Sequence, residues 1–320
     1  MANIRTILFC ALAAGLCAFG PAQAASCQLK MVGSMDIYTG SNGRLLVPVT
    51  VEGQSGYFRL DIGSPISAIV ASASDNAGLK RSTLSYGTTL HVDEHQVIEQ
   101  VAPELGLGGV KGDVYLAVAP RLENPDVREI GVLGFDVLRR FDVELDLLHN
   151  KLNLFSPDHC PNQVVYWTQS APVAALPIQT KGFADFSVTM QLDGKDVQTA
   201  ISSATHHARL STYVAGKLFG IAEPADAGSD TSKPYAFKTL SVDGLTFMNP
   251  VIYPYIDPTN GRCGGGSYED KTPMHSEAHG MIMRCFGEDD LYIGLPELRK
   301  LRVFFDFSEK MLYATVADAK

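Results

Sequence analysis

One stretch of this chain is written twice, and that repeat constrains the fold more than any other feature. Residues 45–69 align without a gap on residues 186–210. Both begin with apolar residues at alternate positions: Leu45, Val47, Val49 and Val51 in one copy, Phe186, Val188, Met190 and Leu192 in the other. A period of two predicts a half-buried strand. Each copy then turns at a glycine, Glu52-Gly53 or Asp193-Gly194, as a hairpin does. Each second strand ends at the same distance past that glycine, at Asp61 in the first copy and Ser202 in the second.

A second ungapped match follows in the same order. Residues 133–155 align on 293–315, with Gly134/Gly294, Leu138/Leu298, Arg139/Arg299, Val143/Val303, Asp146/Asp306 and Leu152/Leu312 identical. Each member predicts a short helix (136–140, 296–300) and then a two-stranded hairpin. Between the two landmarks each copy carries a strand–glycine–strand unit, residues 104–118 and 238–253. The expectation is a mostly β chain of two similar lobes. Its predicted divisions are an N-terminal segment 25–43, lobe 1 over 44–160, a linker over 161–172 and lobe 2 over 173–320. With 320 residues, 46% of them hydrophobic, the chain can fill two small cores. Val164, Val165, Tyr166 and Trp167 in the linker are expected to pack on a lobe.

Residues 1–24 read as a cleavable secretory signal. Arg5 precedes an apolar run too short to span a bilayer, Pro21 breaks it, and Ala22-Gln23-Ala24 is a small-x-small cleavage pattern. The chain is therefore expected to be exported, to a periplasm or the medium, with no membrane span after cleavage. Lipidation of Cys27 is disfavoured, because no large aliphatic residue stands three positions before it. Cys27, Cys160, Cys263 and Cys285 remain in the mature chain, an even number that suggests disulfides. Proximity favours Cys263 with Cys285, leaving Cys27 with Cys160. A formal net charge of −9 argues against nucleic acid as a partner.

Other constellations carry less. His206-His207 lie close to Ser203, yet there is no G-x-S-x-G elbow, and they read as surface histidines. His91/His95 would sit too far apart along one strand to share a metal, and His275/His279 have no third ligand in range. No metal and no cofactor is expected. The glycine runs 106–112 and 263–267 match no phosphate- or dinucleotide-binding pattern and read as turns or loops.

Two motifs carry a resemblance to a family. The strand Phe58-Arg59-Leu60-Asp61-Ile62-Gly63-Ser64 ends in Asp-x-Gly-Ser, and Val132-Leu133-Gly134 with a short helix follows about 70 residues later. This resembles the aspartic peptidases of the retropepsin and pepsin type, over nearly all the mature chain. The resemblance implies two retropepsin-like β-barrel lobes in one chain. It also implies a cleft for an extended polypeptide between them, and a hairpin flap whose tip would be Tyr86-Gly87. In that family each lobe supplies one Asp, and the coupled pair activates a water. Here Asp61 matches the catalytic Asp, with Ile62, Gly63 and Ser64 forming its loop. Ile62 lacks the hydroxyl that the family uses to bond across to the other lobe. In lobe 2, Ser202 stands in place of the Asp, followed by Ser203 and by Ala204 where the family has Gly.

Three functions follow as expectations. The first is a peptidase homologue that binds polypeptide without effective hydrolysis. The second is an active endopeptidase in which Asp61 works with a further carboxylate. The third is a non-catalytic envelope scaffold. The sequence does not fix the oligomeric state; a monomer is the expectation.

Overall fold

The computed structural model describes residues 28–84, 90–93, 95–181, 185–227, 232–256 and 291–319. Among these the chain is mostly β, in three large sheets. The strands of the first repeat, Leu45–Val51 and Gln54–Leu60, form an antiparallel hairpin, and so do Asp185–Leu192 and Lys195–Ile201. Both turns are built alike: Glu52 and Gly53 have φ of 49° and 78°, Asp193 and Gly194 have 44° and 77°. Two successive positive φ values give the tight turn whose twist matches paired strands, which is why an acidic residue and Gly occur in both.

The first repeat runs further than the sequence pattern suggested. A short strand and a helix follow in each half, Ala68–Val70 with Ala71–Asn76, and Ala208–Ser211 with Thr212–Phe219. Next comes a returning strand, Glu129–Leu133 or Leu291–Ile293. It runs parallel to the strand ending at Asp61 or Ser202, and antiparallel to the short one. Gly134 and Gly294 follow these strands for a steric reason. A Cβ at Gly134 would lie 2.7 Å from Ile66 C and 2.8 Å from Ser64 O, and one at Gly294 would lie 2.3 Å from Thr205 O. The predicted short helices are present at Phe135–Leu138 and Leu295–Leu298.

Each half then sends three strands into one shared six-stranded sheet. Met31–Asp36, Lys151–Phe155 and Asp142–Asp146 come from the first half, and Leu301–Asp306, Met311–Val316 and Ala174–Pro177 from the second. Asp142–Asp146 and Leu301–Asp306 are its central pair, with Val143 opposite Phe305 and Asp146 opposite Arg302. Met31–Asp36, from the N-terminal segment, is thus an edge strand of this sheet. One continuous apolar core runs beneath, from Val47 and Phe58 through Leu145 and Phe305 to Val188 and Leu240. The linker packs as expected: Val164 is fully buried against Phe155, Phe304 and Tyr313, and Trp167 Nε1 donates to Thr315 Oγ1 at 2.9 Å.

One local expectation is corrected. His91 and His95 do not share a strand; they lie on the two arms of a hairpin, Leu90–Val92 and His95–Val97, that turns at Asp93. Asp93 takes a φ of 52°, a conformation that short polar side chains tolerate.

Candidate functional site

Asp61 and Ser202 end corresponding strands, and the fold brings them together. Asp61 N donates to Leu133 O at 3.0 Å, and Ser202 N donates to Ile293 O at 3.1 Å. Each is therefore anchored by the same bond to its own returning strand. Across the gap, Ser202 Oγ donates to Asp61 Oδ1 at 3.2 Å. The local loops mirror one another as well. Gly63 N donates to Asp61 Oδ1 at 3.2 Å, and Ala204 N donates to Ser202 Oγ at 3.2 Å. The Ser202 hydroxyl thus occupies the place, and takes the backbone bond, that a carboxylate oxygen has in lobe 1.

The remaining loop residues are assembled with equal economy. Ser203, fully buried, accepts a bond from Ile62 N at 3.0 Å and donates to Leu60 O at 2.8 Å. One hydroxyl thus ties lobe 2 to the backbone on both sides of Asp61 Cα. Ile62, 1% exposed and part of the apolar core, returns no such bond, so the crossing is one-sided. Gly63 sits where a Cβ would lie 2.7 Å from Ile201 O and 3.0 Å from Ser202 Cβ, which excludes larger residues. Ser64 N closes the loop on Asp61 O, and its hydroxyl donates to Ile66 O.

Burial pushes the Asp61 carboxyl above the usual carboxylate range. The nearby Arg59 guanidinium and the bonds from Ser202 and Gly63 oppose that rise without cancelling it. Arg59 is itself buried and pairs with Asp93 at 2.6 Å and Glu129 at 3.6 Å. Among the described residues, no carboxylate hydrogen-bonds to Asp61; its partners are Ser202 Oγ and Gly63 N. A coupled acid pair needs two groups that share a proton, and a serine hydroxyl does not titrate in that range. The arrangement can hold and orient a polar group, but among the described residues it has no second acid.

The other candidates fall differently. Tyr86 and Gly87, the flap tip, lie outside the described residues, as do Cys27, Cys263 and Cys285. The described hairpin in that interval is tied to the lobe: Asp93 bonds Arg59 and accepts from Glu123 N, and Val92 and Val97 are buried. His206 and His207 are exposed, with His207 against the ring of Tyr253. Ser203 spends its hydroxyl on lobe 1 and forms no pair with His206 or His207. The open groove bordered by Tyr38, Tyr57 and Gly106 does not include Asp61. Sequence reasoning missed Ser67, whose hydroxyl accepts from Gly134 N and donates to Asp136 Oδ1, fixing the loop beneath Asp61. It also missed a buried trio, Asp142, His159 and Asp306. Their separation along the chain leaves no spacing motif.

No family model and no curated protein matches the chain. Among solved structures it is similar to basic 7S globulin from soybean. The TM-score is 0.52 and the identity 10%, covering 91% of this chain and 99% of that one. At that identity the likeness speaks to the β-rich two-lobe architecture alone.

Proposed function

We propose that this chain is an exported homologue of the retropepsin and pepsin-type aspartic peptidases. On this reading it binds extended polypeptide between its lobes and does not effectively hydrolyse it. The observation that carries the reading is the mirrored site: Ser202 Oγ lies 3.2 Å from Asp61 Oδ1, in the position a second carboxylate would need. The one-sided crossing through Ser203 and the duplicated strand–helix–strand units support the same reading. The alternative of an active endopeptidase with a further carboxylate is less favoured, because no such group reaches Asp61 among the described residues.

The test uses mature protein, an unfolded protein substrate and immobilised extended peptides, from acid to neutral pH. Peptide binding without cleavage is expected, with binding weakened by bulky substitution of Gly63 or Ala204. Cleavage that disappears in Asp61→Ala would overturn the non-hydrolytic reading. The absence of both binding and cleavage would favour the scaffold.

A further inference from the structure

The central strand pair has two corners related by the internal repeat, and their charges differ. At one corner Asp146 stands opposite Arg302, with Arg302 Nε 3.4 Å from Asp146 Oδ2. The alignment that equates Leu133 with Ile293 makes Asp306 the counterpart of Asp146, and Asp142 the counterpart of Arg302. The second corner therefore sets two carboxylates side by side, one residue beyond the Val143–Phe305 pair. Both are fully buried. His159, from the segment leading into the linker, enters this corner with its side chain 1% exposed.

Four donor atoms converge there. His159 Nε2 lies 2.9 Å from Asp142 Oδ2 and 3.7 Å from Asp306 Oδ1. Ser308 Oγ lies 3.2 Å from Asp142 Oδ2, 3.4 Å from His159 Nε2 and 2.9 Å from Asp306 Oδ1. These five edges bracket the roughly 3.3 Å edge of a tetrahedron with bonds of 2.0–2.1 Å. Neighbouring bonds hold the same side chains in place. His159 Nδ1 faces the Cys160 carbonyl at 3.1 Å, so Nδ1 carries a proton, and Nε2 is the nitrogen turned toward the carboxylates. Asp142 Oδ1 accepts from Ser308 N at 3.0 Å, and Asp306 Oδ1 accepts from Glu309 N at 2.8 Å. Asp306 Oδ2 is buried with no hydrogen-bond partner.

We propose that Asp142, His159 and Asp306 form a structural site for a divalent cation of the zinc type, with Ser308 Oγ at the fourth position. Nitrogen and carboxylate donors at tetrahedral spacing suit zinc. With a neutral imidazole the corner carries two negative charges away from water, and a divalent cation cancels both. The cation would join a strand of lobe 1, the segment leading into the linker and a strand of lobe 2. This inference is independent of what the cleft binds.

The test is metal analysis of the full mature chain, followed by zinc titration of chelator-treated protein and cobalt substitution. About one zinc per chain is expected, with the visible absorption of four-coordinate cobalt. Asp306→Asn and His159→Gln should each weaken zinc at least about tenfold. His149→Gln, in the hairpin at the other corner, should leave it unchanged. If a variant fails to fold by circular dichroism, the wild type decides: chelator should lower its Tm by roughly 5 °C and zinc should restore it. A wild-type chain that takes up no zinc in excess, with a Tm indifferent to chelator, overturns the proposal and leaves an imidazolium salt bridge. Zinc held equally by wild type and both variants overturns it too, since the ion then sits elsewhere.

Discussion

Replacing Ser203 with alanine removes one oxygen and leaves two buried backbone groups without partners. Those groups are Ile62 N, now bonded at 3.0 Å, and Leu60 O, bonded at 2.8 Å. Leu60 and Ile62 are each 1% exposed, so water cannot easily take over. An orphaned buried donor or acceptor costs about 1–3 kcal/mol, which puts the pair at roughly 2–6 kcal/mol. Relief from burying the hydroxyl itself offsets part of this, and about 3 kcal/mol is the expected loss. Urea unfolding followed by the fluorescence of Trp167, the single tryptophan, measures it. Circular dichroism run in parallel checks that the two lobes unfold together. Ser203→Thr keeps the oxygen and should lose less than half as much. A loss below about 1 kcal/mol for Ser203→Ala would refute the claim that this hydroxyl joins the lobes.

Ser202→Asp should place a second carboxylate against Asp61. At about 4 Å and an effective dielectric constant near 20 the two charges repel by about 4 kcal/mol, so their protons should leave with dissociation constants roughly a thousandfold apart. Carbon-detected NMR titration would read this, and two independent titrations would contradict the paired geometry. Asp61→Asn should stabilise the protein at neutral pH. The folded state holds the Asp61 proton more tightly than the unfolded chain, so that contribution is present in acid and lost as pH rises through the raised value. The advantage of the Asn variant should therefore vanish below the ordinary Asp value of 3.8, as unfolding at several pH values would show. Gly63→Ala should cost about 1–3 kcal/mol, because its Cβ meets the backbone oxygen of Ile201 rather than a movable side chain. Ser156 N bonds Lys30 O at 2.9 Å, continuing the antiparallel pairing of Met31–Asp36 with Lys151–Phe155. Non-reducing peptide mapping should recover a Cys27–Cys160 peptide, and a different pairing would correct the expected framework.

The repeat made much of this legible in advance. Alternating apolar positions and the two acidic-residue–glycine turns predicted both first hairpins, and equal strand lengths placed Ser202 opposite Asp61. Helix Ala71–Asn76 escaped notice because it is short and mostly polar, with no apolar stripe. The hairpin turning at Asp93 escaped because its restraint is tertiary: Arg59, far back in the chain, holds the turn. Asp142, His159 and Asp306 gave no signal for the same kind of reason. Their meeting depends on how the second half's strand pairs with the first, which no local spacing encodes.

The pairing of Glu144 with Phe304 at the middle of the central strands bears on how the halves choose each other. Suppose two first halves met through the same strand edge. Glu144 would then face its own copy, and the Arg302 that now bonds it would be replaced by Asp142. Both carboxylates would be shut away from water with like charge beside them. Two second halves would set Phe304 against Phe304 and Arg302 opposite Asp306, with no Glu144 for Arg302 to bond. Only the mixed pair gives Glu144 its cation and leaves one aromatic ring on the axis. A chain still emerging from synthesis, with its first half folded, therefore exposes an edge that rejects other first halves and waits for its own C-terminal strands.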